Sequence, residues 1–340
     1  MAAPTLPGLE FVGQLGSGGF ADVFAYDQQL PARRVAVKVL REHVASPGGV
    51  GGFLAEANAL AALQHPNIVP LHAVGVAPDG RPYFVMAYCP GPNFSARCRA
   101  KPLGLAETLR VGIALAGAVE TAHRLGLLHR DIKPANVLSD QYGTPQLADF
   151  GLVGVRADND PVELGVSVPW SAPEVLFGTA DASPASDVYS LAATLWTLLV
   201  GYSPFEIDPT WNSPVDLLRR IRTQAAPSLP LSGAPTSLDI ALMKAMDKDP
   251  GRRPGSALEL AAALQGVQRS LGLPVTEPVV AQPGLEPDAD RSASVASEPD
   301  AAPPASVTTA SELLGGPVVQ PLPGEAPPRR PWWRGRQGRP

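Results

Sequence analysis

Apolar positions in the first 88 residues recur with a short period between glycine-marked turns. Leu9-Glu10-Phe11-Val12, the run from Gly16 to Val23 and Arg34-Val35-Ala36-Val37-Lys38-Val39 read as strand, turn, strand, turn, strand. Strand signals return over Ile68 to Val76 and Pro82 to Tyr88, joined by the turn sequence Pro78-Asp79-Gly80. Between them, Phe53, Ala57, Leu60 and Ala61 predict one helix from about Gly51 to Leu63, with Glu56 beside the apolar stripe.

After Pro90-Gly91-Pro92 the period changes to that of a helix. Ala106 to His123 carries Leu109, Ile113, Ala116 and Val119 along one stripe. Further helices are expected over Asp187 to Val200, Val215 to Arg222, Ser237 to Met246 and Ser256 to Leu271, each set off by proline or glycine clusters. Leu191 to Val200 is far shorter than the ~18 apolar residues a membrane span needs, so it is expected to be a buried core helix.

The pattern fades near Leu273. Of the 39 prolines, 14 fall in residues 273–340, where little apolar periodicity survives and a disordered tail is expected. Its charge is split: residues 273–326 hold eight acids against the single Arg291, and the last 14 residues carry five arginines, Trp332 and Trp333.

Composition narrows the function classes. With 340 residues, 45% hydrophobic and 17% charged, the chain has material for a sizeable core. A net charge of -5 argues against nucleic acid as a main partner. Cys89 and Cys98 are too few for a disulfide framework, and the absence of a signal-peptide pattern predicts a soluble protein of the cytoplasm.

Candidate chemistry concentrates in two segments. His129-Arg-Asp-Ile-Lys-Pro-Ala-Asn136 and, thirteen residues on, Asp149-Phe-Gly151 bring a carboxylate able to orient a hydroxyl (Asp131), a cation for phosphate charge (Lys133), and an amide and a carboxylate able to ligate metal (Asn136, Asp149). The Gly16-Ser17-Gly18-Gly19-Phe20-Ala21 turn could bring backbone N–H groups close to phosphate. Lys38, between two valines of a half-buried strand, needs a charge partner, for which Glu56 is the candidate.

The glycine loop, Val-Ala-Val-Lys38, Glu56, the His129–Asn136 and Asp149–Gly151 segments and Ala172-Pro-Glu174 stand in the order seen in the eukaryotic-type protein kinase family. Over residues 9 to 271 the chain most resembles the bacterial serine/threonine branch, with local matches at His65-Pro-Asn-Ile-Val69, Asp187-Val-Tyr-Ser-Leu191, Gly201-Tyr-Ser-Pro-Phe205 and Asp249-Pro-Gly-Arg-Arg253-Pro254. The resemblance implies an α+β, two-lobed kinase fold: a β-rich lobe with one main helix at residues 1–88, a mostly helical lobe at 89–272, and the tail at 273–340.

It also implies roles. Lys38, paired with Glu56, would bind the α- and β-phosphates of ATP; Asp131 would orient the acceptor hydroxyl and take its proton; Lys133 would neutralise the transferred group. Asn136 and Asp149 would hold Mg²⁺, or Mn²⁺ in its place. The adenine would lie between Val23 and Ala36 above and Leu138 below, with Met86 behind it and the backbone of Ala87, Tyr88 and Cys89 as hydrogen-bonding partners, while Gly16 to Phe20 cover the phosphates. Lys133-Pro134 points to Ser/Thr acceptors in proteins, Ser167 would sit beside the catalytic aspartate, and Glu174 would pair with Arg253.

Departures from the family pattern are Ala21 at the loop's third glycine, Ala87 at the hinge and Ala192. Residues 152–166 contain no Ser, Thr or Tyr, so either Asp158, Asp160 or Glu163 pairs with Arg130 in place of a phosphate, or the segment is a solvated acidic loop. Tail hydroxyls such as Ser292, Ser294, Ser297, Thr308, Thr309 and Ser311 are candidates for autophosphorylation, and the terminal Arg/Trp cluster for docking a partner. The alternative from another class is a pseudokinase acting as a nucleotide-regulated binding module, against which the intact Lys38, Glu56, Asp131, Lys133, Asn136 and Asp149 speak.

Overall fold

The computed structural model describes residues 2–19, 21–41, 60–150, 167–207 and 213–281. All of them belong to one unit, Met1–Leu285; the other unit, Glu286–Pro340, lies outside the described residues.

The period-two pattern of the first part produces a five-stranded sheet of order β1-β2-β3-β5-β4, with every pairing antiparallel. Its strands are β1 (Leu9–Ser17), β2 (Ala21–Gln28), β3 (Arg33–Leu40), β4 (Leu71–Val76) and β5 (Pro82–Ala87). Alternation sends neighbouring side chains to opposite faces. Phe24, Val37 and Val85 stand in register across β2, β3 and β5 and join Tyr26, Val35 and Val39 in one apolar layer. That layer is closed by the N-terminal segment, where Leu6 is buried and Tyr26 Oη donates to Pro4 O at 2.6 Å. Val23, Lys38 and Phe84 form the next row, and the opposite face they occupy also carries Ala36, Leu40 and Met86.

The second part is helical: α1 (Phe94–Ala100), α2 (Leu105–Arg124), α3 (Pro173–Leu176), α4 (Pro184–Val200), α5 (Pro214–Thr223), α6 (Thr236–Ala245) and α7 (Ala257–Ser270), with a small antiparallel pair β6 (Val137–Ser139) and β7 (Pro145–Leu147). α4 begins at Pro184 behind a Ser183–Ser186 capping box and stops at Gly201, whose φ of 96° suits glycine. Being apolar on all sides, it is buried almost throughout and packs against α2, α6 and α7. No helix among the described residues is long and apolar enough to cross a membrane.

Three expectations change. The strand predicted from Ile68 starts only at Leu71: before Pro70, Ile68 instead bridges Leu147 in parallel. Helix α1 went unpredicted, although Asn93 caps it by accepting from the Ala96 N–H at 2.9 Å. The disordered tail expected from Leu273 begins too early, because residues 273–281 pack on the helical lobe. Of the predicted helix at Gly51–Leu63, residues up to 59, Glu56 included, lie outside the described residues.

Candidate active site

A buried carboxylate organises the loop between α2 and β6. Asp187, 1% exposed at the start of α4, accepts the backbone N–H groups of His129 and Arg130, each at 2.8 Å, and bonds His123 Nε2 at 2.8 Å. Arg130 needs that support: its φ of 65° is a left-handed conformation unfavourable for a residue with a side chain. His129 is buried; its Nδ1 accepts from the Asp131 N–H at 3.2 Å and its Nε2 meets Ala148 O at 3.0 Å. Burial lowers its pKa, with Asp187 and Asp131 opposing, so the ring favours the neutral state.

The loop thus presents Asp131. Lys133 Nζ lies 2.9 Å from Asp131 Oδ2 and donates to Ser167 Oγ at 2.7 Å, while Asn136 Nδ2 donates to the same Asp131 oxygen at 3.0 Å and to Asp131 O at 2.8 Å. The other oxygen, Asp131 Oδ1, is buried with no hydrogen-bond partner. Lysine and amide therefore orient the carboxylate while leaving one acceptor free. Ser167, expected beside Asp131, makes its contact with Lys133, which in turn lies against that aspartate.

Asp149 also has a left-handed φ, 60°, and its Oδ1 lies 2.8 Å from Lys38 Nζ. Burial alone would raise its pKa; the Lys38 ammonium, with help from Lys133, outweighs this and holds it below the usual carboxylate range. Lys38 thus reaches across from the sheet to the second candidate metal ligand. Its expected partner Glu56 lies outside the described residues, as do Phe20, Gly151, Asp158, Asp160, Glu163 and the tail hydroxyls.

At the glycine turn, Gly16 pairs with Val23 and Ser17 with Asp22, and Gly18 N–H donates to Ala21 O at 2.9 Å. Gly16, Gly18 and Gly19 have no positive φ, and a Cβ on Gly16 or Gly19 would meet nothing within 4 Å. What these glycines contribute is open space above the turn rather than an unusual backbone. Sequence reasoning missed the clamp beneath it: Ser17 Oγ donates to Asp22 Oδ1 at 2.6 Å, and Arg41 Nη2 reaches the same oxygen at 3.2 Å. Burial pushes the Asp22 carboxyl up, but Ser17 and Arg41 together hold its pKa below normal. A carboxylate on an otherwise apolar strand was the available signal.

The residues expected around the adenine are divided among several elements: Val23 on β2, Ala36 on β3, Met86 and Ala87 at the end of β5, Tyr88 and Cys89 after it, and Leu138 on β6. Behind Met86 an apolar recess is lined by Lys38, Leu71, Phe84, Leu147, Asp149 and Phe150 among others. Cys89 Sγ donates to Gln146 Oε1 at 3.6 Å, and burial, with Asp140 adding to it, pushes its pKa up to about 11. Farther off, Arg253 makes the expected pair with Glu174, two bonds of 2.7 Å each, both side chains buried.

A sheet lobe and a helical lobe, with Lys38 reaching Asp149 and with Lys133 and Asn136 gathered on Asp131, make up the arrangement of the protein kinase fold. The family model described as protein kinase domain matches residues 9–264, and the chain belongs to that family. Serine/threonine-protein kinase PknK of Mycobacterium tuberculosis is 39% identical over 284 residues, 82% of this chain and 25% of that protein. PknF of the same species is 35% identical over 277 residues, 76% of this chain and 56% of its own length. The chain thus spans only a quarter to about half of these relatives. The crystal structure of the M. tuberculosis PknI kinase domain superposes with a TM-score of 0.58 at 29% identity, covering 78% of this chain and 99% of that one.

Proposed function

We propose that this chain transfers the γ-phosphoryl group of ATP to serine and threonine hydroxyls of proteins. The observation that carries this is the Asp131 carboxylate, held through one oxygen by Lys133 and Asn136 with its other oxygen buried and without a partner. An acceptor hydroxyl supplies the missing hydrogen bond and gives up its proton there, while Lys133 balances charge on the transferred group. The contact between Lys133 and Ser167 supports the Ser/Thr preference.

The donor set fits a hard divalent cation, with Asn136 supplying an amide oxygen and Asp149 a carboxylate. No group of three or more His, Cys, Asp or Glu able to hold a metal occurs among the described residues, which suits an ion whose other ligands are phosphate and water. Mg²⁺ answers this description, and Mn²⁺ takes the same donors. When bound, the ion neutralises phosphate charge; Lys38 then orients the α- and β-phosphates and holds Asp149 in its ionised form. The free thiols of Cys89 and Cys98 agree with a cytoplasmic setting.

The test is to incubate the purified chain and an Asp131→Asn control with labelled ATP, Mg²⁺ and a general protein acceptor, then to identify the labelled residues. Phosphoserine and phosphothreonine with the unaltered chain alone are expected. Label absent from both preparations would leave a nucleotide-binding pseudokinase, and equal label in both would remove Asp131 from its role.

A further inference from the structure

We infer that residues Leu273–Ala281 form a strap that positions the metal-binding strand end at Asp149, so that the segment following the last helix sets the activity of the site. The inference rests on the kinase reading above.

The strap leaves α7 by a turn at Gly272, whose φ is 64°. Gln268, 2% exposed, clamps Thr276 in both directions: Thr276 N–H donates to Oε1 at 2.8 Å and Gln268 Nε2 donates to Thr276 Oγ1 at 3.0 Å. Gln265 Nε2 adds a bond to Thr276 O at 2.8 Å. The chain then crosses α2. Ala281 N–H donates to Thr121 Oγ1 at 3.1 Å, and Val279 lies so close over Gly117 that a Cβ there would collide with the Val279 carbonyl. Glycine in mid-helix is unfavourable by about 1 kcal/mol relative to alanine, and this close approach explains its presence.

From Val279 hydrogen bonds run through His65 and Asn67 to Pro145 and Leu147 of β7, and the backbone continues from there to Asp149. Val279 O meets His65 Nε2 at 2.9 Å; His65 Nδ1 accepts from the Asn67 N–H at 3.0 Å, so Nε2 carries the hydrogen. Asn67 then grips β7, its Nδ2 donating to Pro145 O and its carbonyl accepting from the Leu147 N–H, both at 2.8 Å. Val69 N–H donates to Leu147 O at 3.0 Å, two residues before Asp149, and Ala148 N–H donates to Asn136 O at 2.8 Å. His65, Asn67, Thr121 and Gln268 are all buried, so each depends on these partners to meet its hydrogen-bonding capacity. Three buried polar side chains from separate elements converge on the backbone of a segment lying beyond the family match, which ends at residue 264. Packing alone needs no such convergence. A continuous route to both candidate metal ligands makes the strap a positioning element.

The test uses the full chain carrying Gly117→Ala, which favours helix α2 by propensity but occupies the place of the Val279 carbonyl. Thr121→Val, which keeps shape and removes the acceptor, and Thr121→Ser, which restores it, are made alongside. Hydrogen exchange over residues 274–281, 65–69 and 145–149 is measured together with kcat and the KM for ATP and for the acceptor protein. Gly117→Ala and Thr121→Val are expected to speed exchange in all three segments and to lower kcat/KM for ATP about tenfold with the acceptor's KM unchanged, Thr121→Ser remaining close to the unaltered chain. Faster exchange of 274–281 with 145–149 and the kinetics unchanged would overturn the inference, as would unchanged exchange of 274–281 in Gly117→Ala. Should the unaltered chain transfer no phosphate, the kinase reading fails, while the exchange data still decide whether the strap reaches residues 145–149.

Discussion

Asp187 accepts the backbone N–H of His129 and that of Arg130, one on each carboxylate oxygen at 2.8 Å, although it lies 58 and 57 residues further along the chain. A charge at the head of an otherwise apolar helix thereby sets the conformation of the loop that presents Asp131. Replacing it by asparagine turns one acceptor into a donor facing an N–H group. Asp187→Asn is expected to lower kcat/KM about a hundredfold while circular dichroism stays that of the folded chain. Unchanged kinetics would show that the loop keeps its shape without Asp187.

Lys38 and Asp149 depend on one another. Lys38→Met removes the main influence keeping the Asp149 pKa low, so phosphotransfer is expected to fall at least about a thousandfold, or ~4 kcal/mol in the barrier. A steady-state assay with an active-site-titrated preparation measures this, and activity near that of the parent chain would remove Lys38 from its role.

Glu174 and Arg253 are buried, joined by two bonds of 2.7 Å, with the guanidinium 5.0 Å from the centre of the Tyr189 ring. Removing one partner leaves the other charge uncompensated. Arg253→Ala is expected to lower the unfolding free energy by about 3–5 kcal/mol, and the double variant with Glu174→Ala to lose less than the two single losses added. Additive losses in denaturant titrations would contradict a direct pair.

Acid should destabilise the fold through its histidines. Burial lowers the pKa of His65 and His129 below the ordinary value of 6.5. Between their folded values and 6.5 the unfolded chain binds more protons, so stability is complete above about pH 6.5 and declines as pH falls below it. Melting temperatures recorded from pH 8 to pH 5 are expected to be level at first and then to drop. A midpoint that rises on acidification would contradict the assignment.

Cys89 is half-buried, and with its pKa pushed up to about 11 almost none of it is thiolate at neutral pH. Iodoacetamide at pH 7.5 is expected to label the native chain far more slowly than the unfolded chain. Mass spectrometry after timed quenching distinguishes the two, and comparable rates would show an exposed, activated thiol.

Much of this was legible in the linear chain because its signals are local. Strands β3, β4 and β5 and helices α2, α4, α5, α6 and α7 follow from periodicity within a few residues of their bounds, since the period decides which face is buried, whereas β1 and β2 extend well past Val12 and Val23, where their sequence signals stop. Asp131, Lys133, Asn136 and Asp149 stood out as candidates because phosphoryl transfer needs such groups in a short loop and just beyond it.

Contacts between distant segments were a different matter. The anchoring of the Asp131 loop by Asp187 and the ordered course of Leu273–Ala281 have no local signature, and the Ser17–Asp22–Arg41 clamp shows locally only as a lone buried carboxylate. A proline-rich stretch with little periodicity looks unstructured until Gly117, Thr121, Gln268 and His65 are brought together to receive it. By itself, the order of residues determined which chemical groups are present and which faces are apolar, since those depend on side-chain type and spacing. Apart from the Glu174–Arg253 pair, which the family resemblance implied, tertiary structure decided which buried polar atoms meet. A hydrogen bond needs partners within about 3 Å, and chain folding sets that distance between residues far apart in sequence.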